Sequence, residues 1–595
     1  MRVIEAVGFG GPEVLAVREA PDPVPGPGQV VVDVSVVDVM SLDAQLRAGW
    51  GRQWFGHEPP YVPGTGVAGY AGGRRVAARV SGGGYAEKVV ASEVAAVPDG
   101  LSLPAAAALL QVGPAALSLV DAAELKPGTR VLVTGAGGAL GLALVQLAAA
   151  AGAEVTGAAR GEGKRSAAEA AGAARVVDYE EVTGEFDVVF DGVGGQVGAE
   201  LFERVAPGGT FFAYGVTGGN PAQVDPAGRR VVGMEQVQFA PEEFVRLAER
   251  AFAEAVAGRL RPHVGLAVPF DQVARAHAAL DARELTGKAL LLVTSRAARY
   301  SVYGGPEVLR VDELPIPEPG PGQVRLAVQA AGVNAIDWKF RQGMMGGPLE
   351  GPAGTGLEVA GTIDALGPGV DGPRIGQAVF GRVSAGGVAD FVLADPAELL
   401  ERPGWLAPEE AAALPVAAGT AHRVLGLLAP RPGQTLLIHA VAGGVGLAAA
   451  QLAIARGARV IGTASERHHA FLRGLGVEPV VYGDGLEERI TEPVDLVLDA
   501  SGRDVLGLSV RLTGDPAKVV TIADGLTAAE HGVRFSTGAQ GGAPLGEVFA
   551  EVLPLVERGA LRIPIAAAFP LERIADAHRM SEDGHFLGKI VIVAE

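Results

Sequence analysis

The sequence predicts an α/β protein built as two tandem copies of one two-domain subunit, and three observations carry that prediction. GGPEVL at Gly10–Leu15 and PGPGQV at Pro25–Val30 return unchanged at Gly304–Leu309 and Pro319–Val324, both displaced by 294 residues. Each half carries a glycine-rich turn, TGAGGALG at Thr134–Gly141 and HAVAGGVG at His439–Gly446. Each half also closes on a GK-plus-apolar strand, Gly287–Val293 and Gly588–Val593. A period this long is no solenoid repeat; it is the length of a complete enzyme subunit.

Within each copy the first hundred residues read as β. Val30–Val36 and Val324–Ala330 are short β-branched runs bounded by Pro/Gly turns, as in a small barrel-like domain. The middle of each copy changes period. A strand at Arg130–Val133 meets the glycine turn, then a helical run at Leu142–Ala151, then a strand at Glu154–Gly157. The second copy repeats this with Thr435–Ile438, Leu447–Arg456 and Arg459–Gly462. Strand, turn, helix and strand make a βαβ unit and hence a parallel sheet. Further strands are expected at Val188–Asp191, Thr210–Ala213, Leu496–Asp499 and Val519–Ile522. Residues near Ser295–Ala298 are expected to form a short linker, too short to let the copies separate, so that they pack as an intramolecular pseudo-dimer.

Composition excludes several classes. The 595 residues are 48% hydrophobic, enough for several cores. A formal charge of −19 argues against nucleic acid and acidic membrane surfaces as partners. The absence of cysteine removes disulfides, thiolate metal sites and a cysteine nucleophile. The N-terminal stretch lacks the apolar core of a signal peptide. The longest apolar run, Ala105–Val120, is interrupted by Gln111, Gly113 and Pro114. A cytoplasmic protein acting on a small molecule is the expectation.

The two turns have glycine or alanine at three-residue steps: Gly135, Gly138, Gly141 and Ala440, Gly443, Gly446. In a dinucleotide site the first position turns tightly, the second admits a pyrophosphate, and the third lets the helix pack on the sheet. The helix N-terminus adds partial positive charge. Gly444 and Val445 belong to the same turn. An NAD site wants a carboxylate at the end of the second strand. Here stand Ala159-Arg160 and Ala464-Ser465, with no acid nearest the strand end and Glu466 following in the second copy. Arg160 and Lys164 in the first copy, and Ser465 and Arg467 in the second, could hold a 2′-phosphate; Tyr179 and Tyr482 complete the two candidate sets. The cofactor expected is NADP(H).

These strings, with AAGVNAIDWKFRQG (Ala330–Gly343) and GLEVAG (Gly356–Gly361), resemble the medium-chain dehydrogenase/reductase superfamily, and within it the zinc-free quinone oxidoreductase and enoyl reductase branch. The resemblance runs once through each copy. It implies a GroES-like β-barrel catalytic domain interrupted by a Rossmann doubly wound parallel sheet, with NADPH in the cleft between them and dimers joined through the Rossmann sheets. The implied divisions are residues 1–118 with 263–296, 119–262, 297–423 with 566–595, and 424–565. A further homodimer of the whole chain remains open. No metal site is expected, because the zinc-dependent branch needs a cysteine ligand. Gly56-His57-Glu58 mimics that branch's GHE motif without its downstream glycines, and His468-His469 reads as surface or cofactor-adjacent.

The branch pattern places an asparagine, an acid and a threonine near the nicotinamide. The second copy has them as Asn334, Glu358 and Thr420; the first has Met40, Gly66 and Ala115, none able to hydrogen-bond through a side chain. Asn334 is expected to orient substrate or nicotinamide, Thr420 to hold the carboxamide or diphosphate edge, and Trp338 to form an apolar wall. Glu358 either serves the pocket or ties down a barrel loop. No general acid stands out. Pocket walls are expected in the divergent loops Trp50–Tyr61 and Gln342–Ala353. The activity implied is hydride transfer from NADPH to a quinone or α,β-unsaturated carbonyl, mainly in the C-terminal copy. The alternatives are a specialised enoyl or polyene reductase or reductive cyclase of a biosynthetic pathway, or a non-catalytic NADPH-binding scaffold. The first copy is then either a structural partner or a pocket adapted to another substrate.

Overall fold

The computed structural model describes residues 1–217, 219–538 and 541–594; the side chains of Gln53 and Trp54, inside the first expected pocket loop, lie outside the described residues. The chain divides into two compact units, Met1–Thr294 and Ser295–Glu595.

Each unit holds the same two sheets. In unit 1 the Val30–Val39 strand is the centre of an antiparallel-rich sheet, flanked by Gly66–Ala71 on one side and Lys88–Ala91 and Lys288–Leu292 on the other pairings. In unit 2 the Val324–Val333 strand holds this place, between Glu358–Leu366, Phe391–Ala394 and Lys589–Val593. Alternate residues of these strands form the barrel cores, with Val37, Val67 and Leu291 in unit 1 and Leu326, Val359 and Ile590 in unit 2. The expected β runs are thus real and a few residues longer than the apolar pattern marked.

The second sheet of each unit is six-stranded and parallel. In unit 1 its order is Arg175–Val177, Glu154–Ala158, Arg130–Thr134, Phe186–Asp191, Val205–Ala213 and Arg230–Val232. Unit 2 repeats it with Glu478–Val480, Arg459–Thr463, Thr435–His439, Leu496–Asp499, Val519–Thr521 and Arg534–Phe535. The chain starts each sheet at the centre, works outward, then reverses. This doubly wound order puts a topological switch point at the carboxyl ends of the central strands.

One difference from the sequence reading stands out. The expected linker does not exist. Thr294–Tyr300 is a strand that pairs with Ala353–Gly354. Ser295 and Ala298 are buried, the Ala298 N–H donates to Val388 O, and Arg296 is ion-paired to Asp390 and Glu572. The small and basic residues of SRAAR looked like a linker, but Ser295, Ala298 and the following Tyr300 are buried along a strand. Unit 1 joins Gly66–Ala71 to Arg74–Arg79 by the two-residue turn Gly72-Gly73, both at positive φ (55° and 77°), a geometry glycine supplies. Unit 2 connects the matching strands, Glu358–Leu366 and Ala378–Arg382, through a long Pro/Gly-rich loop. No single helix among the described residues is long and apolar enough to cross a membrane.

Candidate functional site

The glycine turns sit where the parallel sheets need them. Gly135 has φ 65°, and Ala440, its counterpart, takes the same left-handed conformation at φ 57°. Such a conformation strains an L-residue by about 1–2 kcal/mol. A Cβ at Gly141 would lie 2.2 Å from Gly135 O, and one at Gly446 2.6 Å from Ala440 O. The third position is therefore glycine because helix and turn touch. Gly443 differs: the nearest atom to an added Cβ is Ala440 O at 3.6 Å. Protein packing does not demand glycine there, and the open space lies at the N-cap of the Gly444–Ala455 helix. An open, donor-rich cradle of this kind fits a diphosphate. Gly138 caps the Ala139–Ala150 helix in the same way.

On the expected adenosine side of unit 2, Ser465 Oγ lies 3.2 Å from Tyr482 Oη, Arg467 donates to His585 O, and Tyr482 is 40% exposed. Glu466 is exposed and His469 is buried against Ala464 O. In unit 1 Arg160 is paired with Glu180 (3.0 Å) and Asp178 (3.5 Å) and lies over the Tyr179 ring. Lys164 donates to Arg283 O at 2.6 Å, and burial holds its pKa below the usual lysine range. The Gly135 N–H donates to Tyr179, whose pKa burial raises.

Beside the unit 2 turn the structure assembles a group that sequence reading only half identified. Lys589 enters from the closing strand and its stem passes under Gly444, 3.2 Å from where a Cβ would be. Its ammonium donates to Glu358 Oε1 (2.5 Å), Asn334 Oδ1 (2.5 Å) and Val333 O (3.2 Å). Asn334 Nδ2 donates to the same Glu358 Oε1 at 2.8 Å, and the Val416 N–H donates to Oε2 at 2.7 Å. Glu358 is fully buried and Lys589 4% exposed, a placement charges tolerate only when paired and hydrogen-bonded. Gly332 stands opposite Glu358 because a Cβ there would meet Oε1 at 2.3 Å. The Asn334–Ala335 junction starts the Ala335–Arg341 helix, and Asp337 accepts the Asn334 N–H at 2.8 Å. Burial raises Asp337 to about 7.

Trp338 and Lys339 follow on that helix. Trp338 is half-buried and its indole N–H has no partner among the described residues. Lys339 reaches the carboxyl end of the parallel sheet, 3.4 Å from Ala523 O. Thr420 is half-buried on the Pro415–Leu428 helix. No hydrogen bond joins Thr420 or Trp338 to the Asn334–Glu358–Lys589 group among the described residues.

Unit 1 lacks the three polar side chains of Asn334, Glu358 and Thr420, yet a buried ion pair stands at the matching point of its barrel. Met40, Gly66 and Ala115 are where alignment put them, but the carboxylate has moved one strand over. Asp38, directly paired with Gly66, is fully buried and lies 2.5 Å from Lys288, the counterpart of Lys589. Burial raises the Asp38 pKa against the pull of Lys288. Among the described residues neither Asp38 oxygen has a hydrogen-bond partner beyond this ion pair. Gln111 adds an amide, donating to Thr65 O (3.3 Å) and Oγ1 (3.2 Å), and Thr65 lies 3.7 Å from Met40 Sδ. Column-by-column alignment missed this because a cross-strand pair exchanges residues between two columns. The lysines had one signal: GK is the only string closing both halves, in a chain with seven lysines.

His57 stacks on Tyr61 with ring centroids 4.9 Å apart. Among the described residues no cluster of three or more His, Asp or Glu side chains could hold a metal ion.

A barrel carrying a buried polar group, set against a doubly wound sheet with an open glycine turn, is the architecture of a dinucleotide-dependent dehydrogenase. The chain belongs to the medium-chain dehydrogenase/reductase superfamily, in its quinone oxidoreductase-like branch, with the domains present twice. The zinc-binding dehydrogenase family matches residues 139–244 and, through a second such family, 475–592; the alcohol dehydrogenase GroES-like domain family matches 320–404. A quinone oxidoreductase of Lama guanicoe is 30% identical over 331 residues, 52% of this chain and 99% of that protein. A pikromycin polyketide synthase component of Streptomyces venezuelae is 36% identical over 298 residues, 46% of this chain but only 8% of the synthase component. The structure of a quinone oxidoreductase from Coxiella burnetii aligns with 51% of this chain and all of its own at 32% identity and a TM-score of 0.47.

Proposed function

We propose that the chain is an NADPH-dependent, zinc-independent reductase of quinones or α,β-unsaturated carbonyls, with its chemistry in unit 2. The observation that carries this reading is the open Gly443 cradle beside the buried Asn334–Glu358–Lys589 group. Bound at this turn, NADPH would supply the hydride. The turn amides and helix N-terminus receive the diphosphate, and Ser465, Arg467 and Tyr482 the 2′-phosphate. Thr420 holds the carboxamide edge, and Trp338 walls the pocket. Asn334 keeps one amide hydrogen for the open side, a donor for the oxygen on which negative charge develops during reduction. Pairing of the two units as an internal pseudo-dimer belongs to the same reading and is supported by the tandem repeat.

A second reading, an enoyl reductase of a polyketide-like pathway, is favoured by the 36% identity to a polyketide synthase segment. Calorimetry with NADPH on the wild type and on Gly443→Trp tests the site, and NADPH oxidation with a quinone and a thioester enone tests the substrate class. Loss of one site and of turnover in the variant is expected. Unchanged binding and turnover would reject unit 2 as the working copy, and enone turnover without quinone turnover would select the second reading.

A further inference from the structure

The geometry points to Lys589 as the residue that positions the Asn334 amide, a role for which the carboxylate of unit 2 stands at Glu358 rather than at position 332. This rests on the reading of unit 2 as the reducing site. A primary amide can sit in two orientations related by a half-turn, and only one presents an N–H to a substrate oxygen from a given side. In unit 2 both ends are clamped. A cation holds Oδ1 (Lys589 Nζ, 2.5 Å) and an anion holds Nδ2 (Glu358 Oε1, 2.8 Å). The flipped amide would set its oxygen against the carboxylate and its NH2 against the ammonium, both repulsive in a buried site. All three Lys589 hydrogens are committed, to Val333 O, Asn334 Oδ1 and Glu358 Oε1.

Unit 1 is the internal control. Lys288 is as buried as Lys589, but its counter-ion is the shorter Asp38 on the central strand, and Met40 stands at the position that matches Asn334. That pair neutralises a buried charge and orients nothing. Glutamate at position 358, with Gly332 clearing its path, lets one carboxylate oxygen meet both the ammonium and the amide. The same lysine is structural in one unit and a positioning residue in the other.

The chain contains two asparagines, Asn220 and Asn334, so [15N]asparagine labelling of the whole protein yields two side-chain NH2 signals. Lys589→Met strands the buried Glu358, so Lys589→Met/Glu358→Gln, which leaves no unpaired charge, is made beside it. In both variants the Asn334 signals should move toward the position of a solvated amide and exchange faster, with Asn220 unmoved. The kcat should fall by about tenfold or more, with KM for NADPH within about twofold. Lys288→Met/Asp38→Asn, which leaves no unpaired charge in unit 1, should leave both Asn334 signals and kcat unchanged. Asn334 signals that stay in place in Lys589→Met/Glu358→Gln, a kcat that does not fall, or an equal effect from Lys288→Met/Asp38→Asn would each overturn the assignment. A wild-type chain that turns over neither quinone nor enone would instead reject the proposed function, and the amide signals would still decide the positioning.

Discussion

The two units place the same buried lysine at the same point of the same sheet and neutralise it differently. In unit 1 the paired positions read Asp38 and Gly66; in unit 2 the matching positions, which lie against each other, read Gly332 and Glu358. A carboxylate and a glycine have exchanged strands. The ammonium therefore tolerates either neighbour as donor of the counter-charge, because both reach it across one strand spacing. It does not tolerate having none. The exchange also separates two requirements that a single copy would confound: burying a cation safely, and holding an amide in one orientation.

The largest effect should come from breaking the unit 1 pair. Asp38→Ala strands Lys288 in the barrel and should cost about 3–5 kcal/mol, read as a lower urea midpoint. Asp38→Gly/Gly66→Glu, the unit 2 arrangement, should recover most of that loss. A double variant as unstable as the single one would mean that the two arrangements are not interchangeable.

A smaller, pH-dependent effect separates the units at the first turn of the barrel helix. Burial raises Asp337 to about 7 and its counterpart Asp43 to about 6. Tyr85 Oη donates to Asp43 at 3.2 Å, whereas unit 2 has Val388 in place of that tyrosine. The folded chain keeps the Asp337 proton up to about 7, while the unfolded chain releases it near about 3.9. Stability is thus fully present below about pH 4 and falls as pH rises through about 7. Asp337→Asn should remove this fall, and Val388→Tyr should move its end toward about pH 6, measured as midpoints across a pH series. A fall unchanged in Asp337→Asn would assign it to another group.

The smallest effect tests the glycine turns. Ala440→Gly relieves a left-handed alanine and should stabilise unit 2 by roughly 0.5–1 kcal/mol after the entropy loss of glycine, while Gly135→Ala should destabilise unit 1 by about 1 kcal/mol. Thermal midpoints moving in the same direction would contradict the matched geometry of the two turns.

Much of this protein was legible in its sequence. The duplication, the alternation from β runs to strand–turn–helix units, and the two turns are local patterns set by spacing of two or three residues, and neighbouring residues enforce them. Asn334, Glu358 and Gly443 were legible for the same reason, lying inside contiguous strings that resemble a family. Tertiary structure decided what depends on residues far apart in the chain. Lys589 meets Asn334 from 255 positions away. Asp38 replaces a glutamate that aligns with Gly66, and SRAAR is a buried strand rather than a linker because Ala353–Gly354 returns to pair with it. Cross-strand pairing sets those contacts, and a strand's partner is chosen by the fold of the whole sheet.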